Sequence, residues 1–330
     1  MSAAEAHKPL TFALLRRLAD GEFHSGEVLA KQFGVTRATV NNALQDVDSF
    51  GLTLYSVRGR GYRLARPLQW LDADLILAGL GSARTDMHIE ILEHAASSNA
   101  LLLQRATQGA SSGTVLAVEW QNAGRGRLGK TWHSGLGDAL TFSVLWRFDS
   151  GLAALSGLSL AVGIALMRAL DELGVPGAGL KWPNDVLLKR GKLAGILLEA
   201  QGDMLGPSAV VIGIGLNLSV PEAMRERIDQ PVSDLAALEM PLPERNQILA
   251  VILKHLAAVL REFAGHGFAP LRGEWEGRHV FQQRPVKLLL PDGSHISGMV
   301  LGVTDDGALR LATAQGEQAF NAGEVSLRSA

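Results

Sequence analysis

The chain has no cysteine. That absence excludes a disulfide framework, a thiolate metal centre and a cysteine nucleophile together, and it fits a reducing, cytoplasmic location. Net charge is nearly absent as well: 31 Lys and Arg against 33 Asp and Glu give a formal −2. Nothing global pulls the protein toward nucleic acid or an anionic membrane, so any such binding must rest on a local patch. Long apolar runs are also missing. The longest uncharged stretch, Gly151 to Met167, is interrupted by glycine and serine and followed at once by Arg168, Asp171 and Glu172, which predicts a buried helix and no membrane partner. The N-terminus lacks a basic region followed by an apolar core, so no secretory signal is expected. No internal repeat or low-complexity segment is visible. What is present is a globular balance, 330 residues with 47% hydrophobic and 19% charged content, long enough for two or three domains.

Charge is unevenly placed. Residues 1–66 hold nine Lys/Arg and six Asp/Glu, about +3, while the remainder is about −5. Within the positive part, Leu10 to Leu18 and Gly26 to Phe33 read as helices, the second capped by Ser25. Gly34-Val35 makes a tight turn, and Thr36 caps a third helix whose inward stripe is Val40, Leu44 and Val47. Its opposite face presents Arg37, Asn41 and Gln45, side chains suited to base edges and phosphates. Leu52 to Val57 and Tyr62 to Leu64 read as a hairpin with Arg58 and Arg60 at its tip, placed to meet a phosphate backbone. The pattern is a winged helix-turn-helix, with operator DNA as the expected partner.

The unit ends at Arg66-Pro67, and Leu71 to Leu80 reads as a linker helix. From His88 to about Phe263, strands and helices alternate, but the sequence around Arg190-Gly191 is a hairpin pattern, which predicts a mixed α+β unit over a purely parallel sheet. A long amphipathic helix is marked by Ile248, Ile252, Leu256, Val259 and Phe263. From Pro285 to Arg328 only short strands remain, separated by glycine turns, and a small barrel fits them.

The chemistry concentrates in a few stretches. Gln121-Asn122-Ala123-Gly124-Arg125-Gly126-Arg127-Leu128-Gly129-Lys130 follows an apolar strand and alternates glycines with cations, a composition that suits an anionic ligand, although a flexible basic loop reads the same way. It lacks both the Gly-Lys-Ser/Thr ending of a P-loop and the spacing of a dinucleotide fingerprint. Ser97-Ser98-Asn99 offers two hydroxyls and an amide, or simply caps a helix. Lys181-Trp182-Pro183-Asn184-Asp185 is either a turn or a polar site, with Asn184 and Asp185 of the types that hold Mg²⁺. Lys192 could stand beside developing negative charge, with Gly195 on the same strand. Gly213 and Gly215, next to Asn217, mark close approach of a ligand.

In this order, and with the terminal Gly323-Glu324-Val325-Ser326-Leu327-Arg328-Ser329, these motifs resemble the bifunctional biotin protein ligase and biotin-operon repressor family over nearly the whole chain. The resemblance implies a winged helix-turn-helix domain at 1–66, a linker at 67–87, a catalytic domain at 88–276 with a mixed sheet like that of class II aminoacyl-tRNA synthetases, and an SH3-like barrel at 277–330. It implies activation of biotin by ATP and Mg²⁺ to biotinyl-5′-adenylate, then transfer to a lysine of the biotin carboxyl carrier protein of acetyl-CoA carboxylase, the reaction of class 6.3.4.15. It also implies a homodimer when adenylate is bound.

On this analogy Ser97, Ser98, Asn99 and Gln121 hold the biotin head, and Gly124, Arg125, Gly126 and Arg127 form a loop over the adenylate. Lys192, with Arg125 and Arg127, would be catalytic, Lys192 bridging carboxylate and α-phosphate, while Gly195, Gly213, Gly215 and Asn217 complete the pocket. The chain departs from the family at Ser98, where threonine is usual, at Leu128, where some members have arginine, and in 218–232, which has no aromatic to stack on adenine. Two other readings share these motifs: a biotin-sensing transcription factor without ligase activity, and a lipoate-type ligase.

Overall fold

The computed structural model describes residues 8–290, 292–322 and 326–329. The first seven residues and Gly323, Glu324 and Val325 of the C-terminal motif lie outside them.

The N-terminal unit runs α1 (Lys8–Arg17), α2 (Gly26–Phe33), α3 (Arg37–Leu44), β1 (Leu54–Val57) and β2 (Gly61–Leu64). Ser25 caps α2 by accepting from the Glu27 N–H, and Thr36 caps α3 by accepting from the Thr39 N–H at 3.1 Å. Between the two helices Gly34 takes a φ of 65°, a left-handed turn that is cheap only without a Cβ. Val40, Leu44 and Val47 meet Phe12, Leu15 and Leu29 in one core. β1 and β2 pair antiparallel with Leu54 opposite Leu64.

That core also takes in Leu136, a fully buried residue from the central unit whose N–H donates to the Phe50 carbonyl at 2.7 Å. Arg66 pairs with buried Asp138 beside it. The linker helix α4 (Ala73–Gly79) starts later than expected because the Asp72 side chain caps it, accepting from the Leu75 N–H. Just before it, the Leu71 N–H donates to Glu119 at 2.6 Å, and the other Glu119 oxygen meets Arg245 at 2.9 Å in a buried pair.

The central unit contains β3 (His88–Ala95), α5 (Ser98–Thr107), β4 (Thr114–Gln121), β5 (Ala139–Phe148), α6 (Leu158–Glu172), β6 (Ala178–Lys181), β7 (Asp185–Leu188), β8 (Gly191–Gly202), β9 (Ser208–Asn217), α7 (Glu222–Arg225), α8 (Arg245–His266) and α9 (Arg272–Arg278). Its strands form one sheet in the order β3-β4-β5-β9-β8-β7-β6. Only β3 with β4 is parallel, so the sheet is mixed, as the hairpin pattern predicts. The uncharged run becomes a short turn and α6, which is buried along most of its length; among the described residues no helix is long and apolar enough to cross a membrane.

α6 and α8 pack together against one face of the sheet. The other face is divided. Leu116, Val118, Leu145 and Val211 pack against α5 through Leu102 and Ala106. Farther along, Gly213 and Gly215 of β9 lie opposite Leu197 and Gly195 of β8, and this part of the sheet carries little side-chain bulk. A hollow is left there.

The C-terminal unit is β10 (Pro285–Leu289), β11 (His295–Val303), β12 (Leu309–Thr313), β13 (Gly316–Phe320) and β14 (Ser326–Ser329), an antiparallel sheet in the order β13-β12-β11-β10-β14. Its inward residues Val286, Leu288, Val300 and Leu309 join the core of the central unit, and the Trp182 indole N–H donates to the Gly307 carbonyl at 3.1 Å.

At the junction, His279 lies between Trp275, with ring centroids 4.5 Å apart, and Phe281. Burial pushes its imidazole down to about 4. The unfolded chain therefore takes the proton first. Stability from keeping His279 neutral is complete above the ordinary value near 6.5 and falls with pH, by about 3 kcal/mol by pH 4. Urea unfolding of wild type and His279→Gln across pH 7 to 4 should show a shallower dependence for the variant; parallel curves would clear His279 of this role.

Candidate functional site

The hollow in the sheet is the base of a pocket. Its polar end is built where β3 gives way to α5. Ser97 caps α5 and its neighbours Ser98 and Asn99 are buried on the first turn. The Ser98 N–H donates to Gln121 Oε1 at 2.6 Å, tying the helix start to the end of β4. Ser143 of β5 bridges the pair, 2.7 Å from Ser98 Oγ and 2.5 Å from Asn99 Oδ1. Asn99 lies directly over Gly213, where a side chain would collide with its amide.

Gly124 to Trp132 folds over this pocket as a small hairpin. The Gly126 N–H donates to the Lys130 carbonyl at 2.7 Å and the Trp132 N–H to the Gly124 carbonyl at 2.9 Å, with Leu128 at its tip in a left-handed conformation. Gly124 allows this fold because a Cβ would come within 2.5 Å of the Trp132 oxygen. Arg125 pairs with Glu199 of β8. Arg127 turns the other way, donating to Asn184 Oδ1 at 3.3 Å and to the carbonyl of Ala322 in the C-terminal unit. Trp132 forms a wall: its indole lies against Gly215, and a Cβ on Gly195 would sit 3.2 Å from it.

Lys192 stands where this pocket meets a second, cationic cleft lined by Arg127, Lys130, Lys181 and Arg328. Its ammonium is 2.6 Å from Asp185 Oδ1, and Lys181 is 4.0 Å from the same carboxylate. Burial lowers the pKa of Lys181 below the ordinary lysine value, and the nearby charges of Arg328, Lys192 and Lys130 lower it further, against the pull of Asp185. Arg127 is shifted down by burial in the same way. With one carboxylate among these cations in the described residues, the cleft favours a polyanion.

The structure thus brings together Ser97, Ser98, Asn99, Gln121, Arg125, Gly126, Arg127, Lys192, Gly195, Gly213 and Gly215 around one pocket, with Gly124 behind the hairpin. Asn217 is elsewhere. Its Nδ2 donates to the carbonyls of Lys192 and Ser233, so it holds the Lys192 backbone and does not line the pocket. Asn184 and Asp185 do not make the metal site their residue types suggested: Asn184 donates to the Ile196 carbonyl and accepts from Arg127, and Asp185 is paired with lysine. Among the described residues no three His, Asp or Glu are gathered to hold an ion.

Sequence reasoning passed over Ser143, Trp132 and Glu199. Ser143 and Glu199 carry no local signal, since each acquires its role through strand pairing; Trp132, at the end of the glycine-arginine stretch, was open to detection.

On the N-terminal unit Arg37, Asn41 and Gln45 lie exposed on one face of α3, and Arg58 and Arg60 are exposed in the wing. Asn41 Oδ1 accepts from the Tyr62 hydroxyl at 3.2 Å, leaving its NH₂ outward, and the Arg60 guanidinium stacks 4.0 Å over Phe23.

Fold and site define a small-molecule ligase domain fused to a helix-turn-helix DNA-binding domain. The sequence pattern of the Biotin/lipoate A/B protein ligase family matches residues 93–217, that of an HTH domain residues 11–63, and that of the Biotin protein ligase C terminal domain residues 284–328. The bifunctional ligase/repressor BirA of Salmonella typhimurium is 38% identical over 322 residues, covering 98% of both chains, and its Escherichia coli counterpart is 38% identical over 317 residues, covering 96% of this chain and 97% of that one. Among solved structures, a biotin protein ligase from Aquifex aeolicus in complex with biotin and ATP superimposes with a TM-score of 0.61 at 28% identity, covering 73% of this chain and 98% of that one. The chain belongs to the biotin protein ligase family, in its bifunctional ligase/repressor group.

The Gly215→Ala change is expected to push the Trp132 indole away from the sheet and out of its place in the pocket wall. Acrylamide quenching of tryptophan fluorescence should rise, with about 1–3 kcal/mol of stability lost to overpacking. Native quenching and native stability in the variant would mean that the indole is not seated there.

Proposed function

We propose that the chain joins biotin to a carrier protein in two steps and uses the intermediate as the signal for repression. In the first, an oxygen of the biotin carboxylate attacks the α-phosphorus of ATP. The bond from that phosphorus to the bridging oxygen breaks, giving biotinyl-5′-adenylate and pyrophosphate. In the second, the ε-amine of a carrier lysine attacks the acyl carbon, an amide forms and AMP leaves. The acceptor would be the biotin carboxyl carrier protein of acetyl-CoA carboxylase, and the setting the cytoplasm.

One observation carries this reading. Lys192 stands between a pocket with a hydrogen-bonding end and a cleft rich in cations, beneath a folded loop. In the first step the head of biotin lies against Ser98, Asn99 and Gln121, its carboxylate reaches Lys192, and the triphosphate extends toward Lys181 and Arg328. A fixed ammonium at that meeting point opposes charge that grows in the transition state, and Asp185 holds it there in advance. The loop excludes water from the anhydride. Mg²⁺ would neutralise phosphate charge if it entered with the nucleotide, but Asn184 and Asp185 do not fit a protein-held ion, and no step here depends on one.

The C-terminal unit matches the biotin protein ligase C-terminal pattern and the chain is 38% identical to a bifunctional ligase/repressor, which favours biotin over lipoate. Operator DNA would be held by α3 and the wing, and pairing of adenylate-bound protomers would follow if ordering of the loops lowers the cost of an interface.

Purified protein should release pyrophosphate from ATP with biotin and not with lipoate. Lys192→Gln should slow that release about 10²–10³-fold, the scale for removing one preorganised charge stabiliser. No biotin-dependent release from wild type would leave only the sensor reading, and lipoate-dependent release would reassign the substrate. Separately, the Arg37→Ala, Asn41→Ala double variant should lose operator retention while ligation continues. Loss of both activities would show that α3 has a structural role beyond DNA contact.

A further inference from the structure

A line of polar contacts runs from the head end of the pocket to the loop that covers it. Ser98 and Asn99 share Ser143, which is fully buried. The Asn99 Nδ2 then donates to the Leu197 carbonyl at 3.2 Å and to Glu199 Oε2 at 3.0 Å. The other Glu199 oxygen, Oε1, takes the Arg125 guanidinium of the hairpin. Glu199 lies opposite Val211, on the same face of β8 as Gly195 and Leu197 and at the far end of the pocket from Lys192.

A carboxylate only accepts hydrogen bonds, so Glu199 determines which way the Asn99 amide faces: Nδ2 toward the strand, Oδ1 toward Ser143 and the pocket. The same group holds the hairpin through one ion pair. That pair is partly exposed, with side chains 43% and 22% accessible, and contributes little to global stability. Its value lies in where it acts.

Resting on the ligase reading above, we propose that Glu199 is a positioning residue that joins two tasks. One oxygen presents the Asn99 amide to the polar head of biotin, and the other latches the covering loop through Arg125, so that head recognition and loop closure share a carboxylate.

Two substitutions separate the tasks. In Glu199→Gln the side-chain carbonyl still accepts from Asn99, but the charge that holds Arg125 is gone. In Glu199→Ala both contacts go. Full-length protein without added ligand is digested with trypsin, which cuts after Arg125 and Arg127, and both variants should be cleaved there several-fold faster than wild type. In the ligation assay, Glu199→Gln should keep its KM for biotin within about twofold and release a larger share of adenylate free into solution. Glu199→Ala should raise that KM about tenfold as well, the scale of one lost oriented hydrogen bond, with kcat little changed. Glu199→Asp, which keeps the charge, should recover part of the trypsin resistance.

Wild-type cleavage rates in Glu199→Gln would overturn the latch. Equal KM shifts in the Gln and Ala variants would overturn the Asn99 role. A fall in melting temperature and kcat common to all three would overturn both, as the mark of a purely structural residue. Failure of the ligase reading itself is distinguishable, because wild type would then release no pyrophosphate with biotin while the cleavage rates still decide the latch.

Discussion

The Trp132 indole rests against Gly215 and beside Gly195, and the pocket exists because glycines at 195, 213 and 215 leave two adjacent strands with little side-chain bulk where they meet it. Elsewhere the same sheet face is filled in the usual manner, with Leu116, Val118, Leu145 and Val211 packed against α5. Glycine in a strand interior weakens it through backbone entropy and lost packing. Here the weakness is offset by the neighbours: β9 is paired along its whole length with β5 on one side and from Ser208 to Leu216 with β8 on the other. A site in the middle of a sheet can be hollow because its rim is so well bonded.

Electrostatics divides the hollow into two ends. The polar end is satisfied internally, with Ser98, Asn99, Gln121 and Ser143 bonding one another, so a ligand there meets donors and acceptors whose directions are already set. At the other end cations outnumber carboxylates, and among the described residues Asp185 alone is paired with Lys192 and Lys181. Burial, and after it the neighbouring cations, disfavour the charged form of Lys181, and a polyanion in the cleft would offset that cost with its own charge. The unfavourable placement of these charges in the protein alone is thus what makes the cleft receptive.

The domains are joined at the edge of this site. Three residues separate Trp132, at the pocket, from Leu136, which is buried in the core of the winged helix-turn-helix. Asp138 follows, paired with Arg66, and its carbonyl accepts from the N–H groups of Leu218 and Ser219 just past β9. A single short segment therefore touches the ligand pocket, the DNA-binding unit and the end of a pocket strand. The buried Glu119–Arg245 pair fixes the linker against the same strand that ends in Gln121. Breaking such a pair by removing one partner typically costs about 3–5 kcal/mol, because the remaining charge is stranded.

These connections mark the limit of what the sequence could disclose. The helix caps Ser25 and Thr36, the stripe of α8, the hairpin at Arg190-Gly191 and the glycine-arginine stretch are local patterns, and each appears in the structure where its spacing placed it. The residues whose surroundings the sequence did not disclose are those whose partners are distant in the chain. Asp185 has the type and neighbourhood of a metal ligand, yet Lys192 returns across the β7–β8 hairpin and takes its carboxylate. Asn217 ends a glycine-rich strand and looks ligand-facing, yet the segment that follows β9 folds back and offers it the Ser233 carbonyl. Glu199 has no role assigned from the sequence; it lies seven residues along β8 from Lys192, and only the pairing of β8 with β9 puts it on the pocket face within reach of Asn99 and Arg125. Residue type limits what a side chain can do, and in this protein strand register decides which of those possibilities it takes up.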